Sequence, residues 1–369
     1  MIKVDYNIDK QTLRNRFLEI FALTELEKGW KPFRTMFGVE LKELLTADFD
    51  KLVDLYLKYK RVSEGLPKTH IAYLDALFDY EYYQPKLAWF FMNPDNKFDF
   101  STCHYCNMAY VNTYGWGDTY GSVLYFINNA SREEWRFWFE KDVLPDNNLE
   151  SILRERPYNS LEAFNSKKYL WKKIEKYKRM VLTKDANQFD LDHVLPKAIC
   201  PITRLSLFNL VPSCQVCNEK LKKDKELAQS KIDWLKVSPT WSGNLFDQDV
   251  TIRLIPEVSC TTFFELRKNR ENYRLDFDMP YGVYDNYVDL FRLHDRYNYH
   301  KPLALQILDL KERYSDEKVK EISRMLSNGA GKDDKTIYSV AQVKEDIFQM
   351  DFSKDRCFSK LRKDMMERN

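Results

Sequence analysis

Two closely spaced cysteine pairs, Cys103 with Cys106 and Cys214 with Cys217, constrain the fold of this chain more than any other feature of its sequence. In each pair two residues separate the thiols, so one tight turn presents both sulfurs to the same metal ion. Four thiolates from two such turns are the ligand set of a closed, tetrahedral structural zinc site. The sequence therefore predicts one zinc ion that ties together two segments far apart along the chain. Two unrelated pairs of free cysteines are the alternative.

The other cysteines and the overall charge limit the class of protein. Cys200, Cys260 and Cys357 have no partner at ligand spacing, which predicts buried apolar thiols. An odd total of seven cysteines in 369 residues does not resemble the disulfide framework of a secreted protein. With 58 basic and 56 acidic side chains, no global field attracts the chain to nucleic acid or lipid, so an anion-binding face must be local.

Signals for export or membrane insertion are not visible in the sequence. The N-terminal residues show no basic stretch followed by an apolar one. The run from Leu87 to Met92, one of the longest apolar runs, is far too short to span a bilayer. We therefore expect a cytoplasmic protein without a membrane partner.

The spacing of apolar residues and the scarcity of glycine predict a fold of the α+β class that is dominated by helices. Only ten glycines are present, too few for the many tight turns of an all-β protein. We expect an N-terminal helical region at 1–95, a central region with both cysteine pairs at 96–235, and a C-terminal region at 236–369. The C-terminal region is predicted to begin with short strands at 250–255 and 273–277, followed by helices.

A long segment at 112–186 separates the two cysteine pairs. Within it, 123–127 predicts a hairpin strand, and later residues predict an amphipathic helix. The apolar stripe of that helix is formed by Leu170, Ile174, Tyr177 and Val181. Its other side carries the densest basic patch of the sequence, formed by Lys168, Lys172, Lys173, Lys176 and Arg179. A solvated lysine face and a phosphate-binding face are both consistent with this pattern.

His193 differs from the other histidines because it lies in a short strand-like run, beside Asp192 and before Pro196. Neighbouring residues of a strand point to opposite sides, so a bend or the strand end must bring both side chains to one site. Asn209 follows this run, and Asn218 comes directly after the second cysteine pair. An imidazole with an ordinary pKa of about 6.5 accepts a proton near neutral pH, as a general base must.

This order of residues, Asp-His, then Asn, then Cys-x-x-Cys-Asn, resembles the HNH endonucleases, the zinc-stapled branch of the ββα-metal nucleases. The resemblance covers roughly 98–225. It implies a core of two strands and a helix that hydrolyses phosphodiester bonds in DNA, with His193 as the general base. It also implies that Asp192 and Asn218 bind magnesium or manganese, since hard cations prefer oxygen ligands. Asn209 is then the residue that orders the loop and the histidine.

The helix of this core is predicted to begin near Asn218, because the lysine-rich run after it has strong helix propensity. Lys222 lies one turn after Asn218 and either contacts a flanking phosphate or belongs to an exposed helix face. The segment at 329–333 lacks the residue spacing of a phosphate-binding P-loop. No ATP-driven motor is therefore visible in the sequence.

The cysteine and asparagine runs look most like those of HNH proteins from bacterial anti-phage systems, including the partners of Septu-type ATPases. That similarity implies an ATPase or a sensor protein as a partner. Two alternatives stay open: a zinc-stabilised nucleic-acid-binding module without catalysis, and a nuclease directed at RNA. The coexistence of a base and two hard-cation ligands favours a nuclease, since a binding module needs neither.

Overall fold

The structure is a computed structural model that describes residues 2–118, 120–139, 141, 143–176, 183–257, 259–260, 262–329, 339–348 and 357–368. Helices dominate it, which confirms the helix-rich character predicted from the scarcity of glycine. The α-helices are Lys10–Leu18, Leu23–Phe37, Leu41–Thr46, Phe49–Ser63, Lys68–Leu77, Tyr80–Met92, Val123–Asn129, Arg132–Trp138, Asp146–Arg154, Lys168–Lys176, Lys231–Lys236, Phe246–Asp249, Phe263–Lys268, Val283–Leu290, Leu293–Tyr299, Lys301–Arg313, Asp316–Gly329, Val340–Phe348 and Ser359–Glu367. A π-helical segment runs over Val216–Lys222, and short 3-10 turns lie at Pro94–Asn96, Glu162–Lys167, Pro201–Thr203, Leu207–Asn209 and Arg270–Asn272.

The strands are short and pair in antiparallel twos. Asp5–Tyr6 pairs with Phe98–Asp99, Thr113–Asp118 with Thr183–Asn187, Asp190–His193 with Leu210–Ser213, and Thr251–Pro256 with Tyr273–Asp278. The last pair confirms the two strands predicted at 250–255 and 273–277. The pair formed by Asp190–His193 and Leu210–Ser213 carries the candidate site and is called the site hairpin below.

One large hydrophobic core joins residues from all three predicted regions. Trp30 is fully buried in its N-terminal part, where its indole stacks on Phe37 and meets Phe78 edge-on. The same core includes the four paired cysteines, Leu210 of the site hairpin and Tyr287 of the C-terminal helices. The cysteine pairs therefore lie where the N-terminal, central and C-terminal residues pack together, while the boundaries at 95 and 235 stay predictions.

The segment at 112–186 has a second, separate core. Trp135 is buried at its centre, between Phe126 and Phe139. The prediction of a strand at 123–127 is wrong, because these residues begin the helix Val123–Asn129. The hydroxyl of Ser122 accepts a hydrogen bond from the backbone N–H of Tyr125 and caps this helix. Its buried side chains, Val123, Phe126 and Ile127, recur at helical spacing.

The basic helix of this segment is present as Lys168–Lys176, with Leu170 and Ile174 buried as predicted. Lys168 and Lys172 are exposed, whereas the ammonium of Lys173 lies 5.2 Å from the centre of the Phe139 ring. The predicted positions Tyr177, Arg179 and Val181 lie outside the described residues, and so does the segment at 330–338 that includes most of the rejected P-loop match. None of the helices in the described ranges has the length and apolar character that crossing a membrane requires.

Candidate functional site

The four paired cysteines converge into one buried cluster, as the sequence predicts. Their sulfur atoms all lie within 4.8 Å of one another. Two thiolates bound to one tetrahedral zinc ion at about 2.3 Å are about 3.8 Å apart. The sulfurs of Cys106 and Cys214 are 3.9 Å apart, which matches this spacing. The cluster therefore fits a structural zinc ion, and it is called the thiol cluster below.

Neighbouring groups lower the pKa of Cys106 and Cys214, whereas burial raises the pKa of Cys103 and hydrogen bonds with the other thiols raise the pKa of Cys217. The pKa of Cys106 is well below its ordinary value, chiefly because the thiols of Cys103 and then Cys214 hydrogen-bond to it. The backbone N–H of Met108 points at the sulfur of Cys106 at 3.4 Å. The guanidinium of Arg296 donates to the sulfur of Cys217, also at 3.4 Å. Donors of this kind around thiolate ligands stabilise a metal site.

The remaining cysteines lie outside the cluster. Cys200 is fully buried, as predicted, while Cys260 and Cys357 are half-buried. Burial raises the pKa of Cys200 to about 12, which keeps its thiol protonated. These three cysteines therefore contribute no metal ligand within the described residues.

The site hairpin and the segment after it form two antiparallel strands followed by a short helix. Asp192 pairs with Val211, and His193 pairs with Leu210. The following segment, Val216–Lys222, is a π-helix that contains Cys217 and Asn218. It ends at Lys222, within the lysine-rich run, because the chain turns at Lys223, whose φ is 51° and whose ψ is −128°. This is a backbone conformation that residues with a side chain rarely adopt.

The imidazole of His193 is buried at the end of the first strand, and only 4% of the residue is exposed. Its Nε2 lies 2.9 Å from the backbone carbonyl oxygen of Arg204. Because a carbonyl oxygen can only accept a hydrogen bond, Nε2 carries the proton and donates it, and Nδ1 carries the lone pair. The ring of Tyr80 meets the imidazole edge-on with the ring centres 4.5 Å apart. Burial lowers the pKa of His193 to about 3, so the ring is neutral at pH 7.

Asn209 holds the loop that follows His193. Its Oδ1 accepts a hydrogen bond from the backbone N–H of Leu195 at 2.7 Å. Its Nδ2 donates to the carbonyl oxygens of Leu195 and Thr203, at 3.1 and 3.0 Å. The side chain is fully buried. Asn209 therefore contacts backbone groups on the loop between the strands, and its role in ordering the histidine stays a prediction.

Asp192 is buried in the candidate site, but its carboxylate is already paired. The hydroxyl of Tyr105 donates to its Oδ2 at 2.5 Å. The ammonium of Lys222 lies 3.2 Å from its Oδ1 and 3.1 Å from its Oδ2. Lys222 is fully buried, so the alternative in which it belongs to an exposed helix face is wrong. The same ammonium also donates to the carbonyl oxygen of His193 at 2.6 Å.

Asn218 lies next to a carboxylate other than Asp192. Its side chain hydrogen-bonds to Asp190, which lies two residues before Asp192 and therefore on the same face of the strand. Burial raises the pKa of Asp190, although the hydrogen bond from Asn218 opposes this shift. Oδ2 of Asp190 is buried and has no hydrogen-bond partner among the described residues. The unpaired carboxylate oxygen of this site thus belongs to Asp190.

Asp190, Asp192 and Lys222 line one cavity of about 540 Å³, a volume in the range of ordinary ligand sites. His193, Asn218 and Tyr80 contribute to its wall. Its charged lining consists of five carboxylates, from Glu81, Asp190, Asp192, Glu219 and Asp224, and three ammonium groups, from Lys197, Lys222 and Lys223. The lining therefore has an excess of two negative charges when all of these groups are ionised. Such a surface attracts cations and repels a free polyanion.

The predicted ligands of a hard cation do not fit that role as they are arranged. Both oxygens of Asp192 accept from buried donors, and the side chain of Asn218 is engaged with Asp190. Apart from the thiol cluster, the described residues contain no group of three histidine, cysteine or carboxylate side chains close enough to share an ion. A zinc ion thus fits its predicted ligands, whereas magnesium or manganese does not fit Asp192 in this conformation.

Three residues of the site were not assigned correctly from the sequence. Asp190 lies two residues before Asp192, so the period of a strand is a signal that places both carboxylates on one face. Lys222 is one of several lysines in its segment, and nothing in the sequence marks it as the buried one. Tyr105 lies between the first two cysteines, where the sequence gives no sign that its hydroxyl reaches Asp192.

Comparison of the chain with models of known protein families, with curated proteins and with solved structures finds no match.

Proposed function

We propose that this chain is a zinc-stabilised endonuclease of the HNH type, which hydrolyses phosphodiester bonds with His193 as the general base. The observation that carries the proposal is the 2.9 Å contact between Nε2 of His193 and the carbonyl oxygen of Arg204. The Nε2 proton is held by the carbonyl oxygen of Arg204, which leaves a neutral imidazole with its lone pair on Nδ1 at the wall of a cavity. A positioned neutral imidazole of this kind is what proton abstraction from water requires.

The loop after His193 orients the imidazole, and the burial of the ring lowers its pKa. Asn209 holds this loop at Leu195 and Thr203, and the carbonyl oxygen of Arg204 on the same loop accepts the hydrogen bond that orients the ring. Burial keeps His193 neutral at any pH well above 3, but it also lowers the affinity of the ring for a proton. A bound phosphodiester brings negative charge close to the ring and raises its pKa towards the ordinary value, which improves the base when substrate is present.

Magnesium or manganese is part of the proposal because of the charge of the cavity. With five carboxylates and three ammonium groups in its lining, the cavity repels a phosphodiester unless it binds a cation. A divalent ion supplies charge compensation on the phosphate and on the leaving oxygen. Asp192 is paired with Lys222 and is not a ligand of this ion in the described conformation.

The nature of the substrate and of the partners rests on the resemblance to HNH proteins. We propose DNA as the substrate and bacterial anti-phage defence in the cytoplasm as the context, with a separate ATPase or sensor protein as partner. The exposed Lys168 and Lys172 on the basic helix are available to contact the nucleic-acid backbone. RNA stays an alternative substrate.

The test is a cleavage assay on supercoiled plasmid, linear duplex, single-stranded DNA and RNA, each with magnesium, manganese or a chelator. The parent protein is expected to cut DNA only with a divalent ion present. His193→Ala is expected to reduce the rate by about a hundredfold or more, the usual contribution of a general base. His70→Ala is the matched control, because His70 is exposed and distant in sequence from the site. Equal rates for His193→Ala and the parent would rule out this role of His193.

A specific observation favours a second candidate, a zinc-stabilised nucleic-acid-binding module without catalysis. Asp192 is saturated by Tyr105 and Lys222 and does not present a free ligand to an ion. This candidate predicts that the parent and His193→Ala bind DNA equally and that neither cuts it. Filter binding at several salt concentrations, run beside the cleavage assay, separates the two functions, because backbone binding weakens steeply with salt.

A further inference from the structure

We propose that Arg296, on the C-terminal helix Leu293–Tyr299, completes the metal centre by compensating the negative charge of the zinc-loaded thiol cluster. Arg296 follows Cys217 by 79 residues, yet its guanidinium contacts the sulfur of that cysteine. The C-terminal region, which supplies no metal ligand, thereby becomes part of the metal centre. The inference concerns the thiol cluster alone, so it does not rest on the nuclease proposal, and its test uses no nucleic acid.

A zinc ion held by four thiolates is a buried group with an excess of negative charge. The ion brings two positive charges, and the thiolates bring four negative ones. All four cysteines are buried, Cys103 and Cys217 completely. An uncompensated charge in such a place is costly, because the protein interior solvates it poorly. A positive group beside the thiol cluster therefore stabilises the metal-bound form.

The guanidinium of Arg296 is in the position to be that positive group. Its Nη1 donates to the sulfur of Cys217 at 3.4 Å and to the backbone carbonyl oxygen of Phe291 at 3.1 Å. Phe291 directly follows the helix Val283–Leu290, where a helix end leaves carbonyl groups without a partner in the helix. Arg296 is half-buried, which limits the screening of its charge by water. A charged donor also binds a thiolate more strongly than a neutral N–H does.

Two buried tyrosines hold the C-terminal helices against the first cysteine turn. The hydroxyl of Tyr297, the residue after Arg296, donates to the carbonyl oxygen of Cys106 at 2.8 Å. The hydroxyl of Tyr287 donates to the carbonyl oxygen of Tyr105, also at 2.8 Å. These bonds fix the backbone on which Arg296 lies, so its guanidinium is already placed beside the thiol cluster. Groups held in this way beside metal ligands orient the ligands and raise the affinity for the metal.

The experiment measures the affinity for zinc, by competition with a chromophoric chelator, and the absorption spectrum of the cobalt-substituted protein. Arg296→Met is expected to bind zinc about 10- to 100-fold more weakly than the parent, the usual effect of losing a group that contacts a metal ligand. Its sulfur-to-cobalt charge-transfer band is expected to shift to longer wavelength, because the thiolate of Cys217 loses a positive neighbour. Arg292→Met is the matched control, since Arg292 is exposed at the start of the same helix. Its affinity and its spectrum should equal those of the parent.

Two further variants separate charge from hydrogen bonding. Arg296→Lys keeps the positive charge and is expected to retain more zinc affinity than Arg296→Gln, which keeps only a neutral donor. Arg296→Gln also takes the place of Arg296→Met if the latter does not fold. The inference is overturned if Arg296→Met, or Arg296→Gln in its place, binds zinc as tightly as Arg292→Met. It is also overturned if the affinity falls while the cobalt band stays at the wavelength of the parent, since packing alone would explain that result, or if the parent binds no zinc.

Discussion

The hydroxyl of Tyr105 donates a 2.5 Å hydrogen bond to Oδ2 of Asp192. Tyr105 lies between Cys103 and Cys106, so this bond joins the turn that holds the thiol cluster to the strand that holds the candidate base. The Tyr105 side chain is fully buried, and its ring stacks on Phe291 at 4.7 Å. The thiol cluster and the cavity are thus connected through one buried side chain, that of Tyr105.

Tyr105→Phe removes this hydrogen bond and keeps the ring packing. We expect the free energy of unfolding to fall by about 1–3 kcal/mol, because a buried charged acceptor loses one of its donors. The zinc content should not change, since no thiolate is altered. Urea unfolding and metal analysis measure the two quantities. Tyr110→Phe is the control, because the Tyr110 side chain is more than half exposed; a loss in zinc content on Tyr105→Phe would contradict this division of roles.

Cys214→Ser tests the thiol cluster itself. The parent is expected to contain about one zinc ion per chain, and the variant close to none, because a serine hydroxyl is a poor substitute for a thiolate. The free energy of unfolding should fall by about 4 kcal/mol or more, as losses of a structural metal do. Cys260→Ser provides the matched control, since Cys260 is half-buried and outside the cluster. A variant that retains zinc and stability would show that the four thiols are not one metal site.

The spacing of the cysteines and the pattern of a strand are the sequence signals that predicted the thiol cluster and the strand around His193. The two cysteine pairs predict the thiol cluster because a pair separated by two residues has few other geometric uses. The run around Asp192 and His193 predicts a strand, and the structure has one. Asn209 contacts the loop after His193, and the role that the resemblance implies for it stays a prediction.

Burial of single polar side chains was not accessible from the sequence. The run after Asn218 contains several lysines with equal helix propensity, and only the tertiary packing decides that Lys222 turns inward to Asp192. The prediction of a strand at 123–127 was wrong for a related reason. A short apolar run fits a strand and a helix equally well, and the cap at Ser122 with burial against Trp135 selects the helix.

Asn209→Ala is expected to be strongly destabilising. It leaves the N–H of Leu195 and the carbonyl oxygens of Leu195 and Thr203 without their partner in a fully buried place. Unsatisfied buried backbone groups of this number predict a loss of about 2–4 kcal/mol in the free energy of unfolding. Chemical denaturation measures it, with Asn15→Ala as the control because Asn15 is exposed on the helix Lys10–Leu18. Equal stability of the two variants would contradict the ordering role of Asn209.

The buried His193 also predicts how stability depends on pH. In the unfolded chain the imidazole has its ordinary pKa of about 6.5, whereas in the folded protein burial lowers the pKa to about 3. Between these values the unfolded state binds a proton that the folded state does not bind. The contribution of His193 to stability is therefore intact above pH 6.5 and is lost as the pH falls towards 3.

His193→Asn removes this titration, so the difference in the free energy of unfolding between parent and variant isolates it. From pH 7 to pH 4.5 we expect the parent to lose about 2–3 kcal/mol relative to the variant, because carboxylates elsewhere titrate in both proteins and cancel. His70→Asn is the control, because it replaces an exposed histidine that is distant in sequence from the site. Denaturant titrations at five or so pH values suffice. If the difference in the free energy of unfolding between the parent and His193→Asn does not change with pH, the imidazole binds protons equally in the folded and unfolded states. That result would contradict the lowered pKa of His193.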